Sequence, residues 1–238
     1  MSNLPYKIHD ALTARRRQRN SVSVQSETQA EPIFQSGALP SKEYPRMPRV
    51  ALPLPAESNV TLHEALAKRK SAHNVIAEPL PLPALGTILH TLSENDRGTR
   101  RYPSGGAKYP IETYLLVQRV EGLERGAYHY HPHSHALEHL WDIPEPLDLF
   151  VNVNSWAEKA RAVLIFTAGW WKNNDKYQDF GYLLGMLEAG HAAQNVILAA
   201  SAVDVPTCPL GGFNDDVAAS LLDLDLKIEQ PIYALTLN

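Results

Sequence analysis

The sequence predicts an α+β fold, in which helices and strands are mixed without regular alternation. Two segments, over 82–92 and 180–202, carry apolar residues at helical spacing. A continuous apolar run over 162–167 is typical of a strand that is buried on both faces. The predicted strands are not each followed by a helix, which argues against a doubly wound nucleotide-binding fold.

The predicted elements follow one another from Thr61. Thr61 and Glu64 match a capping box, which opens a first helix. Asn214 matches the N-cap of a short helix that runs to Leu222. The other predicted elements are a helix over 82–92, a glycine-rich turn at 104–106, strands over 113–120 and near 127–130 joined by a hairpin connection at 121–126, a strand over 162–167, a long buried helix over 180–202 and a last strand over 231–237.

The first 57 residues differ in composition from the rest of the chain. The stretch over 21–41 is polar and has few large apolar side chains, and the prolines over 45–55 oppose a regular helix or a central strand. We therefore predict two parts. Residues 1–57 form an extended, partly disordered arm that wraps over a surface or a partner subunit, and residues 58–238 form one globular domain.

Charge and composition exclude several classes of protein. A net charge of −4 gives no global basic field that would attract nucleic acid or anionic lipid. The most apolar run, over 162–171, is about half the length that spans a bilayer. The arginines near the N-terminus are not followed by the apolar segment of a secretory signal, and the single cysteine, Cys208, allows no internal disulfide. We expect a cytoplasmic protein that binds neither nucleic acid nor membrane.

Arg69 and Ser71 are candidate phosphate ligands at the predicted end of the first helix. A guanidinium and a hydroxyl two residues apart, in a segment that leaves a helix, can together hold a phosphate. The alternative is a solvated basic helix end, whose cations lie favourably at the negative end of the helix dipole.

The segment over 101–110 is a candidate binding loop for a flat ligand. Gly105 and Gly106 let the backbone approach such a ligand and direct N–H groups at its heteroatoms. Ser104 adds a short hydroxyl, and Tyr109 adds an aromatic surface. The alternative is a tight turn that leads into a strand.

Gly211 and Gly212 repeat this pattern before an aromatic residue and the N-cap Asn214. The start of the helix offers unpaired N–H groups to a ligand. The two acidic residues after Asn214 have a simpler explanation, because they lie at the positive end of the helix dipole.

Lys176 and Tyr177 follow a pair of tryptophans and precede the long helix. An ammonium near two indoles can lose part of its hydration, which favours the neutral amine that acts as a base. A neighbouring phenol can share or relay a proton. The alternative is a surface lysine in a loop beside a half-buried tyrosine.

Four histidines alternate along the second predicted strand and beyond it: His129, His131, His133 and His135. On an ideal strand all four would share one face as metal ligands. Pro132 and Ser134 indicate that the strand ends near Tyr130 and that the later histidines lie in a loop. We therefore predict no metal site and keep a metal-binding module as an alternative.

Taken in order, these motifs resemble the SagB-type dehydrogenases, the flavin-dependent azoline oxidases of the nitroreductase superfamily. The resemblance covers about residues 33–238. Within this group, the sequence is especially similar to the dehydrogenase subunits of thiazole/oxazole-modified microcin synthetases. The residues that carry it are Arg69 and Ser71, the segment from Tyr102 to Glu112, Val120–Leu123 with Ala127–Tyr130, Lys176-Tyr177, Gly181-Tyr182, Leu187–Asn195 and Gly211–Phe213.

The resemblance implies a nitroreductase-like fold, with a central mixed or antiparallel sheet flanked by helices, in an intertwined homodimer with two FMN sites at the subunit interface. It implies Lys176 and Tyr177 as the catalytic pair. The implied FMN-binding residues are Arg69 and Ser71 at the phosphate, Pro103, Ser104, Gly105, Gly106 and Tyr109 beside the isoalloxazine, and Gly211 and Gly212 in a second flavin-contacting loop.

The function that the resemblance implies is oxidation of thiazoline or oxazoline rings in a ribosomally made precursor peptide, as in antibiotic biosynthesis. The implied partners are a cyclodehydratase and a subunit that binds the leader peptide. Two alternatives stay open: an NAD(P)H-dependent nitro- or quinone reductase, and a non-catalytic flavin-binding scaffold subunit. The chain departs from the pattern at three positions, where His73, Phe180 and Leu183 replace arginines that the family usually has.

Overall fold

The computed structural model describes residues 7–9, 11, 13, 41–56, 58–150 and 152–238. Its strands are β1 (Arg49–Ala51), β2 (Ile111–Val117), β3 (Gly126–His131), β4 (Ala136–Trp141), β5 (Ala162–Gly169), β6 (Thr207–Leu210) and β7 (Glu229–Leu237). Its helices are α1 (Leu62–Lys68), α2 (Leu82–His90), α3 (Trp171–Tyr177), α4 (Asp179–Ala202) and α5 (Asp215–Leu222), with short 3-10 helices at Gly105–Ala107 and Asn152–Lys159. The predicted α+β class is confirmed.

The seven described strands form one antiparallel sheet in the order β1-β4-β3-β2-β5-β7-β6. Every residue of β2 and of β5 is buried, as the apolar run over 162–167 predicts. The sheet separates two apolar clusters. One contains residues of α2 and α4, and the other contains residues of α5 and of the second 3-10 helix. Helices therefore cover both faces of the central strands.

Both predicted helix caps are present. The Thr61 hydroxyl accepts from the Glu64 backbone N–H at 3.2 Å, and the Glu64 carboxylate accepts from the Thr61 backbone N–H at 2.7 Å. The Asn214 side chain accepts from the N–H groups of Asp216 and Val217. Each cap satisfies donors that the first turn of a helix leaves without a partner.

Several predicted boundaries were wrong. β2 begins at Ile111 and not at residue 113, because Ile111 and Glu112 pair with Ala168 and Thr167 near the end of β5. The strand also ends three residues early, at Val117, and β3 continues through His131. No local pattern predicts β1, β4, β6 or α3, which are short, polar or interrupted by proline.

The long helix predicted to be the central buried helix is buried on one face only. α4 packs Ala189, Ala192 and Val196 into the core, whereas the Leu187 side chain is 52% exposed on its outer face. The neighbouring helix α1 likewise exposes Leu62 and Leu66. An apolar helix leaves such residues in water when a single chain offers nothing to cover them.

The described part of the N-terminal arm lies along one edge of the sheet, where β1 pairs with β4. The polar stretch over 21–40 and most of the preceding residues lie outside the described part of the chain, so the predicted boundary at residue 57 stays a prediction. Among the described residues, none of the helices has the length and apolar character that crossing a membrane requires.

Candidate active site

Lys176 and Tyr177 end α3 with their polar atoms beside Gly106. An added Cβ at Gly106 would lie 2.6 Å from the Tyr177 hydroxyl and 2.9 Å from Lys176 Nζ. These separations are too short for a methyl group, and Gly106 also has a left-handed φ of 63°. The structure therefore brings the predicted catalytic pair to the predicted flavin loop, and only glycine leaves room for the contact.

The loop that carries Gly106 is braced from within. The Ser104 hydroxyl accepts from the Tyr109 backbone N–H at 2.9 Å, and Gly105 packs against Leu184 of α4. The Tyr109 ring does not project from the loop, because it is buried edge-to-face against Tyr102 at 6.1 Å. Of the predicted loop residues, Pro103 to Gly106 thus remain accessible from outside, and Tyr109 supports them from below.

Buried charges lie beneath this loop, and sequence reasoning missed them. Arg100 donates to the Tyr102 hydroxyl and to the Ile111 carbonyl, both at 2.7 Å. Lys172, one turn before Lys176 in α3, donates to Glu112 at 2.6 Å. Both cations and the carboxylate are almost fully buried. The Lys172–Glu112 pair therefore ties α3 to β2, the strand that follows the loop.

Glu112 is held ionised by its neighbours. Burial by itself raises the pKa of this carboxyl, but the His129 hydrogen bond and the charges of Arg100 and Lys172 outweigh burial and hold the pKa well below its usual range. In the sequence, Glu112 lies just before the predicted strand over 113–120, and no local pattern indicates which cations would face it.

His129, predicted only as an alternative metal ligand, bridges two buried carboxylates. Its Nδ1 lies 2.8 Å from Glu138 and its Nε2 lies 3.4 Å from Glu112. Burial lowers the pKa of His129, but hydrogen bonds to the two carboxylates outweigh burial and raise it overall. The arm completes this network, because the backbone N–H groups of Lys42 and Tyr44 donate to Glu112 and Glu138 respectively.

The other histidines have separate partners. His131 contacts the Ser134 hydroxyl at 2.7 Å, His133 contacts Glu94 at 2.9 Å, and His135 contacts the Tyr130 hydroxyl at 2.9 Å. The four rings are therefore distributed over different hydrogen bonds and do not converge on one point.

Arg69 and Ser71 lie in an extended segment beside β6. Residue 72 of this segment donates its backbone N–H to the Thr207 carbonyl at 2.8 Å. Arg69 is exposed, and among the described residues its guanidinium forms no hydrogen bond or ion pair, so it is free to receive an anion. His73, which replaces the usual second arginine, stacks on Trp156 with ring centroids 4.4 Å apart.

Gly211 and Gly212 follow the other end of β6. The Gly212 carbonyl accepts from the Asn154 side chain at 3.0 Å. Gly211 borders a cleft of about 460 Å³, together with Phe213 and with Tyr182 and Met186 of α4. Ser71 lies beside Thr207, the first residue of β6. Because β6 has four residues, roughly 13 Å of extended chain separates Ser71 from this cleft.

The predicted flavin residues fall into two groups on opposite sides of α4. Leu184 contacts the Gly105 loop, whereas Met186 borders the Gly211 cleft. Two residues along a helix differ by about 200° in direction, so these positions face opposite ways. One group, the loop half-site, is Ser104–Gly106 with Lys176 and Tyr177. The other, the β6 half-site, is Arg69, Ser71, Gly211 and Gly212. The Gly105 loop and the Gly211 cleft therefore lie against opposite faces of α4.

Comparison with known proteins agrees with this architecture. The family model described as the Nitroreductase family matches residues 66–237, which is more than half of the chain. The chain belongs to the nitroreductase family. A protein of Methanocaldococcus jannaschii that is named a nitroreductase is 33% identical over 175 residues, spanning 72% of this chain and 88% of that protein.

A second relative is the microcin B17-processing protein McbC of Escherichia coli. It is 30% identical over 155 residues, spanning 61% of this chain and 57% of McbC. A chain in the E. coli microcin synthetase McbBCD complex, solved with truncated pro-MccB17 bound, aligns with a TM-score of 0.57 and 22% identity over 98% of this chain and 92% of that one.

A nitroreductase structure from Anabaena variabilis has the same fold, with a TM-score of 0.71 and 24% identity. The alignment covers 88% of this chain and 44% of the Anabaena chain. The nitroreductase-like fold predicted from the sequence is thus confirmed. This chain spans about half the length of both McbC and the Anabaena protein.

Proposed function

We propose that this nitroreductase-family chain is a SagB-type, FMN-dependent dehydrogenase. It oxidises thiazoline or oxazoline rings of a ribosomally made peptide to thiazole or oxazole within a peptide-modifying synthetase. The observation that carries the proposal is the convergence of Lys176 Nζ and the Tyr177 hydroxyl on Gly106. An amine and a phenol at the flavin loop supply the proton transfer that dehydrogenation of a ring carbon requires.

The chain's own residues fit FMN. Gly106 forms a cradle that a side chain would fill, and Arg69 supplies a cation without a partner among the described residues. Members of the nitroreductase family bind FMN. Arg69 and Ser71 would hold the phosphate, Gly211 and Gly212 would contact the ring system, and Pro103, Ser104, Gly105, Gly106 and Tyr109 would form or support its opposite wall.

We also propose a homodimer, which the division of the site supports. The loop half-site and the β6 half-site lie on opposite sides of α4, so a complete site requires the loop of one chain and β6 of another. The exposed Leu62, Leu66 and Leu187 offer an apolar surface for such a contact. Light scattering together with quantitation of released flavin tests this proposal, and a flavin-containing monomer would contradict it.

When bound, FMN supplies the two-electron acceptor, a hydride equivalent being transferred from the ring. Lys176 acts as the base that removes the ring proton, and Tyr177 shares or relays that proton. The Glu112–Lys172 pair anchors α3 and so holds the Lys176 amine and the Tyr177 phenol at Gly106. The product gains aromatic stability.

The proposed partners are a cyclodehydratase, which makes the azoline, and a subunit that binds the leader peptide. The likeness to McbC and to a chain of the McbBCD complex supports an assembly of this kind. We also propose a cytoplasmic location, which agrees with the predicted absence of a secretory signal.

The decisive experiment presents the purified protein with a cyclodehydrated peptide and follows the peptide by mass spectrometry. Each ring oxidised loses two hydrogens. The likeness to the M. jannaschii protein, which is named a nitroreductase, favours an NAD(P)H-dependent reductase as the second candidate. Reduction of nitroaromatics or quinones with no azole formation would establish that candidate, and retention of FMN with neither activity would favour a scaffold subunit.

A further inference from the structure

Glu188 is a buried carboxyl that the proposed reaction does not yet use. It lies in α4 on the side that faces the loop half-site, and only 2% of its surface is exposed. Neither carboxyl oxygen has a hydrogen-bond partner among the described residues. A buried acid without hydrogen bonds is costly as an anion, so burial favours its neutral, protonated form.

The groups that act electrostatically on Glu188 come from the loop segment, from β2 and from α3. Ser104 lies in the loop above, Arg100 and Tyr102 precede the loop, Glu112 lies on β2 and Lys172 lies on α3. Burial raises the pKa of Glu188 to about 7, whereas the Ser104 hydroxyl, which lies nearby but outside hydrogen-bonding geometry, and the charges of Arg100 and Lys172 oppose this rise. Lys172 and Arg100 already form ion pairs with Glu112, so their charges stabilise the Glu188 carboxylate only from a greater distance.

We infer that Glu188 is a proton-exchanging residue beneath the Ser104–Gly106 loop, taking up a proton when negative charge is added on the outer side of that loop. This inference rests on the proposed flavin site. Glu188 does not touch the reacting atoms, so it is not a catalytic residue, and its role is to compensate charge that is added at the loop. Its carboxylate form accepts one proton and becomes the neutral acid, and no other bond changes.

The consequence for the proposed reaction is a place for the substrate proton. Lys176 and Tyr177 remove that proton at Gly106, two residues from Ser104. If the proton is retained on Glu188, the site gains no net charge while it accepts electrons, since the charge of one buried carboxylate is removed at the same time. The proton can then leave when the flavin is reoxidised.

The first test needs neither substrate nor flavin turnover. A carboxyl with a raised folded-state pKa loses stability as the pH rises from its unfolded value of about 4.5 towards 7, because the unfolded chain ionises first. Glu188→Gln cannot ionise. We expect the ratio of its folding constant to that of the wild type to rise with pH across this window, on the order of a hundredfold. The exposed Glu121→Gln is the matched control and should show no such rise.

The second test uses the flavin-loaded wild type, so it does not depend on whether Glu188→Gln folds. Infrared difference spectra recorded on chemical reduction should show a new protonated-carboxyl band near neutral pH, and Glu188→Gln should lack it. The pH dependence of the flavin midpoint potential should flatten near neutral pH in the same variant. Parallel stability profiles for the wild type and Glu188→Gln, or a reduction spectrum without a carboxyl band, would overturn the inference. Failure of azole formation with these signals intact would count against the proposed substrate alone.

Discussion

The two half-sites are built in different ways. The loop half-site rests on buried charges, with Lys172, Glu112 and Arg100 almost fully enclosed beneath it. The β6 half-site is open, and Arg69 projects into solvent without a partner among the described residues. The first is prepared before any ligand binds, whereas the second gains its partner only with the ligand. Chemistry that needs a fixed geometry belongs to the first, and affinity for an anion belongs to the second.

The largest expected effect is a loss of azole formation without a loss of FMN, caused by changes in the loop half-site. Lys176→Ala and Tyr177→Phe should each lower azole formation by about 10²–10⁴, the usual range for a positioned acid–base group. Their effects should not add in the double variant, because both residues serve one step. Flavin content, measured from the visible spectrum, should stay at the wild-type level. Near-normal turnover in both variants would remove the pair from the mechanism.

The next effect compares a buried ion pair with an exposed one. Lys172→Met leaves Glu112 buried without its closest cation and should lower the free energy of unfolding by about 3–5 kcal/mol. Lys68→Met, which breaks the exposed Lys68–Asp204 pair, is the control and should cost at most about 1 kcal/mol. Urea unfolding measures both. Equal losses would mean that the network beneath the loop contributes no more than a surface pair.

Arg69→Ala tests the open half-site. It removes a charge-assisted contact and should weaken FMN binding by about ten- to a hundredfold, equivalent to roughly 1.5–3 kcal/mol. His73 stacks on Trp156 and stands where a second arginine is usual, so we expect no neighbouring cation to replace the lost contact with the FMN phosphate. Turnover at saturating FMN should recover. Fluorescence titration of FMN provides the affinity, and an unchanged value would return Arg69 to the role of a solvated helix end.

The smallest effect concerns pH. Glu138→Gln should destabilise the protein by about 1–3 kcal/mol at neutral pH, since it weakens the acceptor of His129, Arg49 and the arm backbone. Burial raises the pKa of Glu138, but its hydrogen bonds outweigh burial and lower it to about 2. The stabilisation is therefore present above about 4.5 and lost as the pH falls towards 2. Thermal unfolding at several pH values should show the variant and the wild type converging in acid.

The sequence predicted most of the fold, because helical spacing, capping residues and the apolar run of β5 are local patterns. It missed β4 and β6, where Glu138 and Pro209 interrupt the apolar alternation that identifies a strand. It also identified the catalytic pair and the flavin residues as candidates. It could not predict that they divide into two half-sites. Leu184 and Met186 point to opposite sides of α4, but what each side chain contacts depends on how α4 packs against the loop and β6.

The buried network escaped prediction for a related reason. Glu112, His129 and Lys172 are distant in the chain, and each alone is typical of a polar residue at the edge of an element. Their pairing depends on the register of β2 against β3 and on where α3 begins, and neither was predicted. Non-local electrostatics of this kind follow from topology and not from composition.

The crowding at Gly106 limits how this enzyme can be diversified in the laboratory. Gly122 has a comparable left-handed φ of 72°, yet nothing lies within 4 Å of the Cβ that could be added there. A library that randomises residue 122 should recover asparagine and aspartate, which tolerate that backbone conformation. A library at residue 106 should return only the parent, because any side chain would meet the Lys176 amine and the Tyr177 phenol.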